Sequence, residues 1–124
     1  MFELEIKGCV YAFNFGMGFM REINKKYSTP IDGVPEAKKN IGLQYAVAGI
    51  IDKDVEALAE VLFVANKGMT PRVTLALIDE HIDDADTDIN ALFESVLDFL
   101  KKSNATKNVV DGLLKLVAAQ QNKA

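Results

Sequence analysis

Polar and apolar residues alternate from Phe2 to Phe15, and beyond Phe15 the apolar residues recur every three or four positions. In the first stretch Phe2, Leu4 and Ile6 interleave with Glu3, Glu5 and Lys7. Cys9, Tyr11, Phe13 and Phe15 resume the period-2 pattern after Lys7-Gly8. That pattern predicts two half-buried strands joined by a two-residue turn. Such a turn sets Ile6 opposite Cys9, Leu4 opposite Tyr11 and Phe2 opposite Phe13, with all three pairs on one face. A lone hairpin is marginal in water, so this face is expected to dock on the rest of the chain.

The helical pattern opens after Gly16 and Gly18, where Phe19, Met20, Ile23 and Tyr27 fall on one side of a short helix. Pro30, Asp32-Gly33 and Pro35 predict a mobile loop over 28–40, with Pro35 in the first turn of the next helix. Residues 41–51 read as a tightly packed helix in which Gly42, Ala46, Ala48 and Gly49 permit close backbone approach. Asp52 or Asp54 caps a helix over 53–67, with Val55, Leu58, Ala59, Leu62 and Ala65 inward and Gly68 as its stop. Thr70-Pro71 predicts a helix start, giving a helix over 71–82 with Val73, Leu77 and Ile78 inward. The stripe Ile89, Leu92, Phe93, Val96, Leu97, Leu100 marks a helix over 88–102. A last helix over 107–120 buries Val110, Leu113, Leu114 and Val117, and the polar tail 121–124 is expected to fray. The fold class is mainly α with a β part (α+β): a hairpin (2–15) followed by a helical part (16–120) of about six short helices, in a single domain over 1–124.

Length and composition fit that picture. The 124 residues are 49% hydrophobic and 26% charged, enough for one domain with a real core. The net charge of −4 gives no electrostatic footprint for nucleic acid or an anionic membrane surface. Cys9 is the single cysteine, which fits a reducing compartment. No basic n-region opens the chain, and the longest near-apolar run, Tyr45 to Ile51, is far short of the ~20 residues of a membrane helix. A cytoplasmic protein is expected.

Candidate chemistry is sparse. His81 is the only histidine and lies in an acidic stretch, Asp79-Glu80-His81-Ile82-Asp83-Asp84, but zinc usually takes several His or Cys ligands. A calcium loop starting at Asp84 puts Asp86 and Asp88 in register, yet Ile89 stands where glycine is needed and Ser95 where glutamate is needed. No serine or cysteine sits in a nucleophile motif, and Gly16-Met17-Gly18 lacks the third glycine and context of a dinucleotide fold. No catalytic, cofactor-binding or metal-ligating residue is therefore expected, and the chain reads as a non-enzyme. Two features exceed ordinary core needs: the cluster Phe13, Phe15, Met17, Phe19, Met20 and the run Val61-Leu62-Phe63-Val64. Either both are interior, or part of each is an adaptable surface for a partner helix. On the second reading the candidate partner or oligomer interface is Phe15, Met17, Phe19, Met20, Val61, Phe63 and Val64.

Several stretches, in order and spacing, resemble the tail assembly chaperones of long-tailed bacteriophages and prophages. They are the hairpin running into Phe15-Gly-Met-Gly-Phe-Met-Arg-Glu-Ile23, then Gly42-Leu43 through Ile51-Asp-Lys-Asp-Val55-Glu-Ala-Leu58. Leu77-Ile-Asp-Glu-His-Ile82, Leu92-Phe-Glu-Ser-Val-Leu97 and Leu100-Lys-Lys-Ser-Asn-Ala-Thr-Lys107 follow. The resemblance implies a non-enzymatic helper that binds the tape-measure protein and keeps it soluble before the tail tube polymerises around it. It also implies self-association, the tail tube protein as a further candidate partner, a place in the bacterial host cytoplasm, and absence from the mature virion. It carries over no catalytic motif and no cofactor. Two other readings stand beside it: a small structural tail or head-completion protein, and a regulatory protein-binding module.

Overall fold

The computed structural model describes residues 1–31 and 33–121, with residues 29–31 and 34–39 described as backbone only. Strands β1 (Phe2–Ile6) and β2 (Cys9–Phe13) pair antiparallel, with Ile6 opposite Cys9, Leu4 opposite Tyr11 and Phe2 opposite Phe13. The turn works because both central residues take positive φ, 52° at Lys7 and 78° at Gly8, the primed geometry that matches strand twist. Phe2, Ile6, Tyr11 and Phe13 are buried while Glu3, Glu5 and Val10 face solvent. The register expected from the alternation is the register formed.

Helix α1 (Met17–Asn24) follows, burying Phe19 and Ile23. Tyr27, expected on the same inward side, lies past the helix end and is exposed. Where the sequence predicts a loop over 28–40, the backbone forms β3 (Ser28–Ile31) and β4 (Val34–Asn40), paired antiparallel with an irregularity at Pro30/Ile31. Gly33, at φ +79°, supplies the turn. Pro35 therefore sits in a strand, and the next helix starts seven residues later. Asp32 and the tail residues 122–124 lie outside the described residues.

Helix α2 (Gly42–Ile51) occupies the centre and touches α1, α3, α5 and α6. Its small residues allow that crowding. A Cβ on Gly42 would lie 1.9 Å from the Ile23 carbonyl oxygen, and one on Gly49 would lie 2.4 Å from the Ala57 Cβ. Helix α3 (Val55–Ala65) is capped by Asp54, whose carboxylate accepts from the Glu56 N–H at 3.0 Å. It packs on α1, α2 and α4, which is why its apolar surface is wider than one face.

Helix α4 (Leu75–Asp83) starts four residues later than Thr70-Pro71 suggests. The cause is Asn66, fully buried just past α3. Its Nδ2 donates to the carbonyls of Ala12 (2.9 Å) and Pro71 (3.3 Å), and its Oδ1 accepts from the Val73 N–H (2.6 Å) and Arg72 Nη1 (2.9 Å). Those bonds hold 71–73 outside a helix, and Thr74 becomes the cap, its hydroxyl accepting from the Leu77 N–H. Val73 is nonetheless buried, as its apolar character predicts.

Helix α5 (Ile89–Lys102) buries Leu92, Phe93, Val96 and Leu100, is capped by Asp88, and carries the expected Asp98–Lys102 pair at 2.9 Å. Helix α6 (Lys107–Gln121) buries Val110, leaves Leu113, Leu114 and Val117 half-buried, and exposes Leu116. The architecture is the expected one, a mainly α fold with an N-terminal hairpin and six helices among the described residues. The hairpin is welded on through rings: Phe2 meets Phe99 edge-on at 5.2 Å, and Phe15 meets Phe19 at 5.3 Å.

Candidate functional site

The residues singled out for a partner surface separate into two groups. Phe15, Phe19, Val61 and Val64 are interior. Phe15 stacks among Phe2, Phe19 and Phe99, and the α3 residues are enclosed by α1, α2 and α4. Phe19 and Val64 both line a hollow of about 300 Å³ that Glu22 and Lys67 also border. Met17 is exposed in the first turn of α1, and Met20 and Phe63 are half-buried, each packed against the edge of the core.

Phe63 leads to an open groove of about 790 Å³ between α3 and α4, bordered on one side by Lys26 and Tyr27 just past α1. Val55, Ala59 and Phe63 follow one another at four-residue intervals on α3, so they form one stripe. Leu75 and Ile82, seven residues apart on α4, face the same space. Val55 and Leu75 are each nearly half exposed (47% and 46%), unusual for aliphatic residues at the mouth of a packed helix pair. Tyr27 borders the groove, and its ring lies 5.2 Å from that of Tyr45, itself 59% exposed. The pair forms an aromatic shoulder of the kind favoured at binding surfaces. The Phe63 ring carries the Arg72 guanidinium 4.3 Å from its centroid, and Arg72 also donates to the Phe63 carbonyl oxygen at 2.9 Å.

The rim is acidic. Among the described residues Glu56, Glu60, Asp79 and Asp83 line the groove against one lining cation, Lys26, which pairs with Glu60 at 3.4 Å. Among the described residues no ion pair neutralises Glu56, Asp79 or Asp83. An apolar floor with a charged rim can capture an amphipathic helix.

Val55 was legible as apolar, but its helical stripe pointed inward. It lies in the first turn of α3, where neighbouring elements no longer cover the helix. Leu75, Tyr27 and Tyr45 carried no separate signal, because exposure depends on which elements stop short of them. Among the described residues no group of three or more His, Cys, Asp or Glu side chains is placed to hold a metal, and no helix is long and apolar enough to cross a membrane. His81 is half-buried, and its backbone carbonyl accepts from the Thr87 hydroxyl at 2.7 Å.

No curated protein and no solved structure matches the chain. The sequence model of the family described as "Phage tail assembly chaperone protein, TAC" matches residues 3–115, a span that takes in the opening hairpin, the α3–α4 groove and most of α6. The chain belongs to the phage tail assembly chaperone family.

Proposed function

We propose that the protein binds the tape-measure protein of its phage and holds it soluble in the host cytoplasm until the tail tube assembles around it. The observation that carries this reading is the open α3–α4 groove, with Val55, Leu75 and Phe63 left accessible in a chain of the tail assembly chaperone family. A tape-measure protein awaiting its tube presents long apolar helical stripes, and grooves of this kind cover such stripes. Transient, multivalent coverage suits the task, since tube subunits must later replace the chaperone. Self-association of the chaperone would supply the multivalency, and release before completion leaves it out of the finished virion.

Co-expression with the tape-measure protein of the same phage or prophage tests the reading. The expected result is soluble tape-measure protein recovered in complex with this chain, and insoluble tape-measure protein when the chain is omitted. Insolubility in both cases, with no complex, removes the reading. Recovery of this chain in purified particles would assign it to the virion structure.

A further inference from the structure

We infer that the α3–α4 groove selects a cationic amphipathic helix, one whose apolar stripe is flanked by lysine or arginine; this rests on the chaperone reading and names the chemistry of the segment bound. The floor sets the length. Val55 to Phe63 spans eight residues, roughly 12 Å of helix axis or about two turns. A guest helix meeting Val55, Ala59 and Phe63 on one wall and Leu75 and Ile82 on the other would place apolar residues at i, i+4 and i+7.

The rim sets the charge. Glu56 and Glu60 stand on the α3 wall, Asp79 and Asp83 on the α4 wall, so carboxylates lie on both sides of the floor. Among the described residues the one lining cation, Lys26, is already engaged with Glu60, and Arg72, which lies over the Phe63 ring outside the lining, is held by hydrogen bonds to the Phe63 carbonyl and Asn66 Oδ1. A guest with acidic flanks meets like charge along both walls, whereas one with basic flanks satisfies the rim while its stripe covers Val55 and Leu75. Rim charges of this kind act on association and selectivity, with the apolar floor supplying adhesion.

The test uses the full chain and two labelled synthetic peptides of about 18 residues, long enough to hold helix. Both carry leucine at i, i+4 and i+7; one has lysine flanks and the other glutamate flanks. At low salt the lysine peptide is expected to bind about tenfold more tightly, and the gap should narrow as salt screens the rim. Glu56→Gln with Asp79→Asn should bring the two peptides close to parity. Val55→Gln with Leu75→Gln should weaken the lysine peptide about tenfold. All four positions are exposed, so thermal melts close to that of the unaltered chain are expected. Equal binding of the two peptides, or unchanged binding by both variants, overturns the inference. So does a self-associated chain that Val55→Gln with Leu75→Gln turns monomeric, since a second copy would then fill the groove. Repeating the co-expression with the groove variants separates the two claims. If the variants still hold tape-measure protein soluble, the groove assignment fails and the chaperone reading stands; if the unaltered chain does not, the reading itself fails.

Discussion

Asn66 shows how much one polar side chain can organise. It is fully buried, and its amide serves four partners: two carbonyls, one backbone N–H and the Arg72 guanidinium. Asn66→Ala would leave the buried Val73 N–H and the part-buried Ala12 carbonyl without these partners. At about 1–3 kcal/mol for each orphaned group, a loss of about 3 kcal/mol in chemical denaturation is expected. Thr106 is a control of similar burial but fewer partners. Its hydroxyl donates to the Leu100 carbonyl at 2.6 Å, so Thr106→Val, which keeps the shape, should lose only about 1 kcal/mol. Equal losses at the two sites would show that bond number does not decide the outcome. At the surface, Lys67 donates to Glu22 at 2.9 Å and holds that carboxyl below its ordinary range, with Lys25 and Lys26 adding to the effect. Because the folded value is lowered, the pair stabilises the fold above the ordinary carboxylate range, and that contribution fades as pH falls through Glu22's own value. Lys67→Met should return Glu22 towards the ordinary range in an NMR titration, and an unmoved titration would mean that another group sets it.

At the scale of elements, the tightest constraint is where α2 crosses α1. A methyl group on Gly42 would sit 1.9 Å from the Ile23 carbonyl oxygen, a backbone atom that cannot swing aside. Gly42→Ala should raise helix propensity locally yet destabilise the protein by about 3 kcal/mol, because overpacking against backbone outweighs the propensity gain of about 1 kcal/mol. A variant as stable as the parent would mean that α1 and α2 can separate freely. A close backbone approach at 41–51, though not the element approached, was readable in advance from its small residues. So were the β1–β2 register and the α5 stripe, each written in a strict period with its own turn or cap. The elements that differed from expectation are those governed by contacts distant in sequence. Asn66 defers the start of α4 past Pro71. Strands β3 and β4 pair through a segment whose two prolines read as breakers. The candidate site shows the same limit: Phe63 was visible as surplus apolar surface, but Val55, Leu75 and the Tyr27–Tyr45 pair became a groove only once α3, α4 and the end of α1 were set side by side.

For the whole molecule, the question is whether hairpin and helices stand or fall together. The hairpin contributes Phe2, Ile6, Tyr11 and Phe13 to the same core as α1 to α6, and it is tied at four further points. Asn66 Nδ2 donates to the Ala12 carbonyl, the Asn14 N–H to the Ala65 carbonyl at 2.8 Å, and the Ser103 hydroxyl to the Phe15 carbonyl at 2.7 Å; Lys7 pairs with Glu80. These ties reach α3, α4 and α5 separately, so peeling the hairpin away exposes core on several helices at once. A lone hairpin has no stability to fall back on, and helices of 8–15 residues are marginal without packing. The expected outcome is one cooperative transition, with the near-UV signal of Tyr11, read in a chain carrying Tyr27→Phe and Tyr45→Phe so that it is the one tyrosine, melting together with the far-UV helical signal. Phe13→Ala should move both curves down together, reflecting a loss of about 3–5 kcal/mol from a domain whose total stability is of similar order. An early near-UV transition that leaves the helical signal intact would show instead that the hairpin is a detachable unit. It would also show that the groove on α3 and α4 can persist without the element that anchors Asn66. A single transition makes the groove a property of the folded whole, so substitutions in the distant hairpin core should weaken partner binding in proportion to the unfolded fraction and no further.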